Sequence, residues 1–337
     1  MEIKVGIVTA PKIEYEQRER TFLLKNVRIG IGFHWNRLED QEFEGLLEIR
    51  NNADGTQTAI NTIELEDYLC SVISAEMSAN SPMELLKAHA VISRSWAMRA
   101  MQKPNHEGFD VCADDHCQRY EGLRRMNERA VQAVRETTGQ VLAFGDEICD
   151  CRYYKCCGGR TEVWRTCWED IDVPYIQSVE CPYCGRADER TLHLALNDYD
   201  QETHDFHDWQ VSYSAEELSD IIRSKSGIDF GEITDLIPLK RGASGRIYEL
   251  QIVGTKRTEI IGKELKIRLW LSRSCLYSSW FEVKKAPTGE FTLIGHGWGH
   301  GAGLCQIGAA QMAMEGKSYE EILQFYYAGA RLSTTTR

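Results

Sequence analysis

Nine consecutive residues, Gly295-His296-Gly297-Trp298-Gly299-His300-Gly301-Ala302-Gly303, place glycine at every second position with two imidazoles and an indole between. Glycine tolerates positive φ and close backbone approach, so the intervening side chains can line a crevice. On glycine content alone the segment reads as a turn joining strand to helix. A phosphate cradle is a second reading, but Gly-x-Gly-x-x-Gly carries little weight without a βαβ setting.

The chain has 337 residues, enough for a large core and two lobes. Its net charge of −12 argues against nucleic acid as a partner and gives no attraction to an anionic membrane surface. No run approaches the roughly 18 apolar residues of a spanning helix. The opening Met1-Glu2-Ile3-Lys4-Val5-Gly6-Ile7-Val8 is too quickly interrupted for a secretory leader. The expected location is therefore cytoplasmic as written, or extracytoplasmic, in the cell wall or periplasm, if an export signal is missing from this sequence.

Residues 1 to about 62 read as strands: Ile3, Val5 and Ile7 alternate, as do Val27, Ile29 and Ile31, and Asn51-Asn52-Ala53-Asp54-Gly55 is a hairpin turn. Leu65, Leu69, Val72 and Ile73 then share a helical face. Ser81 as N-cap, Pro82 at the first position and Glu84 as box partner predict a second helix from Pro82 to about Met101. A third runs from Asn127 to about Thr138, closed by Gly139. Capping boxes at Ser214 and Ser318 start later helices, and β-branched runs fill Ile233 to Val283. Strands and helices do not alternate strictly, which predicts an α+β fold with sheet or barrel-like lobes. The expected division puts helices, strands and a metal-binding loop in residues 1–205, and a β-rich lobe with the glycine–histidine motif and last helices in 206–337.

Twelve cysteines are many for this length. His106, Cys112, His116 and Cys117 fall within one inferred loop and supply the two-imidazole, two-thiolate set favoured by tetrahedral zinc. Four protein ligands leave no open position for an activated water, so the expected role is structural. The bland alternative is a solvated acidic turn around Asp114 and Asp115. Cys156, Cys157, Cys167, Cys181 and Cys184 could form a second metal site, disulfides or buried free thiols. The adjacent pair and the Cys-x2-Cys spacing suit metal or redox chemistry, and mostly reduced cysteines are expected.

Several segments in order carry a likeness. They are Phe43 to Ile49 leading to Ile60 through Leu69, then Val72-Ile73-Ser74-Ala75-Glu76-Met77 and Leu86 through Ser95. Cys117-Gln118-Arg119-Tyr120-Glu121-Gly122 and Cys157-Gly158-Gly159-Arg160-Thr161-Glu162 follow, then Gly245-Arg246, Gly262 to Leu265 and Ser278 to Val283. The last is Gly295 to Ala313 with Tyr319 to Gly329. This order resembles the stage II sporulation protein D family, whose members include lytic transglycosylases and proteins called amidase enhancers, all acting on bacterial peptidoglycan. Departures from its pattern are His89 and Ser95 where Gln and Thr are usual, Lys155-Cys156-Cys157 in a place rich in Ser and Thr, and Cys305 and Ile307 for a Ser and a Trp.

The resemblance implies Glu76 as catalytic acid. Its neighbours Ile73, Ala75 and Met77 are apolar, and such a setting raises a carboxyl's pKa; a solvated glutamate at a helix end is the competing reading. The implied reaction is lytic transglycosylation. Glu76 protonates the oxygen between N-acetylmuramic acid and N-acetylglucosamine, then takes the proton of the muramyl C6 hydroxyl as it closes a 1,6-anhydro ring. No water is consumed, so the second carboxylate of ordinary glycosidases is dispensable. Arg94, Tyr120, Trp298, His300 and Gln306 would line the groove, walled by Gly158-Gly159 and the Gly295–Gly303 loop. Implied partners are glycan strands stripped of stem peptides and a cell-wall amidase. Competing functions are a non-catalytic glycan-binding amidase enhancer and a zinc hydrolase built on the His106–Cys117 cluster.

Overall fold

The computed structural model describes residues 1–30, 37–103, 105–114, 116–197, 200–203 and 205–335. Ile31 and Asp115, invoked above, lie outside them. The chain opens with β1 (Glu2–Ala10), β2 (Tyr15–Gln17), β3 (Thr21–Ile29), β4 (Arg37–Glu44), β5 (Leu46–Asn51) and β6 (Gln57–Glu64). β5 and β6 form the predicted hairpin, whose tip needs glycine because Gly55 sits at φ +84°. β1 pairs antiparallel with β6 and parallel with β7 (Val111–Cys112), in the order β5-β6-β1-β7. Ile3 and Val5 are fully buried, as their alternation requires.

β6 runs directly into α1 (Leu65–Glu76), followed by α2 (Met83–Gln102) and α3 (Glu128–Glu136). α2 is buried without interruption from Ala88 to Met98 and is the axis of the larger core. The expected capping box at its start does not form. Pro82 is the N-cap, Ser81 Oγ donates instead to Leu194 O (3.2 Å), and Glu84 Oε2 accepts from Tyr319 N (2.8 Å). Distant partners outcompeted the local ones. α3 starts as predicted, with Asn127 Oδ1 accepting from Ala130 N, and Ser318 and Glu321 form a complete capping box.

The fold is α+β. Its sheets are small, of two to four strands, and none among the described residues closes into a barrel. The described residues form two hydrophobic cores. The smaller spans Trp209 to Leu293 and lies under the antiparallel sheets of strands Asp208–Tyr213, Phe281–Lys285 and Phe291–His296, and of Ile233–Arg241, Ile247–Gly254 and Thr258–Ile261. The C-terminal helices Gln306–Met314 and Tyr319–Tyr326 do not join it, contrary to the division at residue 205. Ile307, Met312, Ile322, Leu323 and Tyr326 pack into the larger core beside α2. The second lobe is thus set between two parts of the first.

A buried polar knot fastens the two lobes. Glu162, fully buried, accepts from Val163 N and Ala243 N on one oxygen and from Ser244 N and Oγ on the other. Arg246, also fully buried, donates to Gly299 O (3.2 Å), Ser244 Oγ (3.1 Å) and Cys157 O (3.4 Å). Charges this deep are tolerable because each is saturated with hydrogen bonds.

Candidate active site and metal centres

Glu76 is the last residue of α1 and is half-buried. Its Oε1 accepts two hydrogen bonds, from Arg119 N (3.2 Å) and from the Tyr153 hydroxyl (3.1 Å). Gln118 Nε2 donates to that hydroxyl (3.4 Å), and Gln118 Oε1 accepts from Tyr68 OH (3.1 Å). Burial, with the Glu76 carboxylate beside it, pushes the Tyr153 phenol well up, so it remains a donor. The carboxylate therefore has fixed polar partners as well as the apolar helix behind it. Both bonds fall on one oxygen, and among the described residues no hydrogen bond reaches Oε2.

His106, Cys112, His116 and Cys117 converge as predicted: one ligand atom from each lies within 4.8 Å of all the others. His106 Nε2 is 3.1 Å and His116 Nδ1 3.5 Å from Cys117 Sγ, while His116 Nδ1 is 3.9 Å from Cys112 Sγ. A tetrahedron around zinc, with bonds of about 2.0–2.3 Å, has edges near 3.5 Å, so the donors fit that ion. A hydrogen bond from Cys117, aided by His116, pulls the Cys112 thiol down to about 4, and that thiolate raises His116. The loop then runs directly from Cys117 to the Arg119 amide that holds Glu76. The cluster is thus wired to the candidate acid through two residues of backbone.

The expected groove residues need correction. Arg94 is fully buried, with Nε and Nη2 on the two Glu66 oxygens (2.8 and 2.7 Å) and further bonds to Gln140 O, Val134 O and Ala90 O. It braces α1 to α2 and α3. Tyr120 is 2% exposed, packs on Phe43 and Tyr68, and donates to Asn61 Oδ1 (2.6 Å). Gln306, also 2% exposed, donates to His89 Nε2 (2.9 Å), whose other nitrogen meets Ser93 Oγ. The unusual His89 is a core residue against the Tyr153 ring, and burial, then the Lys155 charge, lower it to about 3. Ser95, the companion departure, is buried and accepts from Leu142 N.

His300 lies between Tyr154 and Trp168. Burial and the nearby Arg152 hold it well below its usual range, so the neutral ring donates from Nε2 to Tyr153 O and accepts at Nδ1 from Ala302 N. It supports Tyr153 from behind. Trp298 is half-buried against Phe206 and Tyr277, its backbone paired with Cys156. The two supposed groove walls touch each other: a Cβ on Gly158 would sit 2.8 Å from Gly297 N. One on Gly299 would sit 2.7 Å from Tyr154 Cβ, and one on Gly301 2.6 Å from the Arg246 guanidinium. These glycines serve approach of the chain to itself; of the walls, Gly159 alone has open space around its Cβ position.

Sequence reasoning missed Tyr153 and Gln118. Tyr153 belongs to β10 (Tyr153–Tyr154), the strand after β8 (Gln140–Phe144) and β9 (Glu147–Ile148), and pairs in parallel with Leu304. It lies 77 residues from Glu76, and no spacing signals the contact.

Residues 53–144 match the profile described as Stage II sporulation protein, and residues 162–303 match one described as a domain of unknown function. An uncharacterized protein of Brachyspira hyodysenteriae is 33% identical over 81% of this chain and 68% of its own length. The chain belongs to the stage II sporulation protein D family. Stage II sporulation protein D of Bacillus subtilis is 25% identical over 82% of this chain and 76% of its own. The amidase enhancer of Bacillus subtilis is 28% identical over 79% of this chain but only 40% of that protein. No helix among the described residues is long and apolar enough to cross a membrane.

Proposed function

We propose that this protein is a peptidoglycan lytic transglycosylase acting outside the cytoplasm, with Glu76 as acid and then base. The observation that carries the reading is the bound geometry of Glu76. Tyr153 and the Arg119 amide fix Oε1, and Oε2 is left for a proton in flight. Protonating the glycosidic oxygen and then accepting the muramyl C6 proton returns the carboxyl to its starting state. No water enters, and no second carboxylate is required. Zinc at His106, Cys112, His116 and Cys117 would hold the loop that delivers Arg119. With four protein donors it would supply folding energy rather than a nucleophile, which weighs against a zinc hydrolase.

Strands already stripped of stem peptides remain the proposed substrate. The Gly158 and Gly297 backbones meet and do not face each other across a gap, so these two glycines do not form opposite walls of a groove. A second reading rests on the relative called an amidase enhancer: glycan binding that stimulates an amidase without cleavage.

Mass spectrometry of glycan digested by the purified protein decides among these. Products ending in 1,6-anhydromuramic acid are expected. Reducing ends carrying an added water would overturn the transglycosylase, and intact glycan with a stimulated amidase would establish the second reading.

A further inference from the structure

Four buried thiols meet where three distant segments cross. Cys157 follows β10, Cys181 and Cys184 flank the Pro182-Tyr183 turn, and Cys305 ends the strand Leu304–Cys305 and caps the helix Gln306–Met314. Their sulfurs all lie within 4.8 Å of one another, and none of the four residues is more than 4% exposed. Cys167, expected among them, lies elsewhere, its thiol on His300 O. Cys305 had not been expected at all.

The spacing selects among the chemistries left open by the sequence. Cys157 Sγ and Cys184 Sγ are 3.2 Å apart, well beyond the ~2.05 Å of a disulfide bond. All twelve cysteines are free. A single zinc ion with Zn–S of about 2.3 Å needs tetrahedral edges of about 3.8 Å, which small side-chain adjustments provide. An iron–sulfur cluster places sulfide between its irons and spreads its thiolates more widely than a single ion does.

The surroundings are built for thiolates. Cys305 Sγ accepts from Cys157 N (3.2 Å) and Gly308 N (3.3 Å), and Cys157 Sγ from Gly159 N (3.4 Å). The Tyr326 hydroxyl is 3.3 Å from Cys181 Sγ. His207 lies within electrostatic reach of Cys184, and its Nδ1 is 2.6 Å from Asp208, the carboxylate–imidazole arrangement common beside metal ligands. The Tyr154 hydroxyl is buried with no hydrogen-bond partner, within electrostatic reach of Cys157 and Cys305. Two of the departures from the family pattern, cysteine at 157 and cysteine at 305, fall on ligands of one site.

We propose that Cys157, Cys181, Cys184 and Cys305 bind a second zinc ion in a closed tetrathiolate site. Binding displaces four thiol protons to solvent and leaves a net charge of −2, which the amides, phenols and His207 offset. No coordination position is open, so the ion's work is mechanical. It clamps the β10–Leu304 pair, and with it the strand that aims Tyr153 at Glu76.

Native mass spectrometry and elemental analysis of the full chain, prepared without added metal, test this. Cys184→Ser and Cys305→Ser should each lose one zinc equivalent, while Cys156→Ser, the adjacent thiol outside the set, keeps it. Cys112→Ser should lose a different equivalent, so one zinc retained there and lost in Cys184→Ser supports this site whatever the state of the other. Should the variants fail to fold, alkylation mapping of the wild type with and without chelator answers the same question. Cys157, Cys181, Cys184 and Cys305 should become reactive together as zinc leaves. Iron in place of zinc, a disulfide between any two of these residues, or unchanged zinc in Cys184→Ser overturns the proposal.

Discussion

The two sulfur clusters differ in how far the chain must travel to build them. His106 and Cys117 are 11 residues apart, whereas Cys157 and Cys305 are 148 apart. Loop-closure entropy grows as (3/2)RT ln n, so an ion clamping the longer loop constrains the unfolded chain by about 2 kcal/mol more. The short cluster, in turn, sits two residues from an amide on Glu76, and the long one reaches the acid only through a strand. A local cluster therefore tunes a site, and a remote one holds an architecture.

The largest expected effect is at the acid itself. Glu76→Gln should lower glycan cleavage by roughly 10²–10⁴-fold, the usual worth of a positioned proton donor, with the metal content unchanged. Undiminished cleavage would falsify the mechanism, and loss of metal would show that the acid and the clusters are not separable.

The comparison is then tested by crossing two variants. Cys112→Ser should cost activity about 10- to 100-fold by releasing the Arg119 amide, with the smaller drop in melting temperature. Cys184→Ser should show the larger drop in melting temperature, in line with the extra ~2 kcal/mol of closure. If both variants move both quantities equally, the distinction between the clusters fails.

Tyr153→Phe removes one hydrogen bond to Glu76 and should slow cleavage about tenfold, as loss of a bond to a charged group predicts. A smaller but diagnostic effect concerns acid. His89 is held neutral down to about pH 3, against 6.5 for a free ring, so the native state refuses a proton that the unfolded chain accepts. Stability from this residue is complete above pH 6.5 and erodes as pH falls from 6.5 toward 3, by up to about 1.4 kcal/mol per unit. Unfolding titrations of His89→Gln should show a flatter acid limb; an unchanged limb would mean that His89 is not the group responsible.

Much of this was legible in the sequence because the signals were local. Apolar periodicity gave α1, start and stop signals gave α2 and α3, and the His106–Cys117 ligands lie on one loop. Legibility failed where partners are remote. Ser81 and Glu84 carry the pattern of a capping box, yet bond to Leu194 and Tyr319. Family likeness marks Arg94 and Tyr120 as positions but says nothing of exposure, and both proved to be core. Glycine's permissiveness was read as space for a ligand, when Gly158, Gly299 and Gly301 make space for Gly297, Tyr154 and Arg246. Cys305 was invisible as a ligand because its three companions lie more than a hundred residues away.

The Glu162–Ser244–Arg246 knot bears on motion. The second lobe leaves and rejoins the first through paired neighbours, Asp208 opposite His296, which alone would make a hinge. The knot is a further attachment, set among strands and loops of both lobes, and a second point of attachment opposes a swing about the first. The lobe then acts as a buttress rather than a jaw, and the glycan strand proposed to reach Glu76 would meet a frame braced at both places.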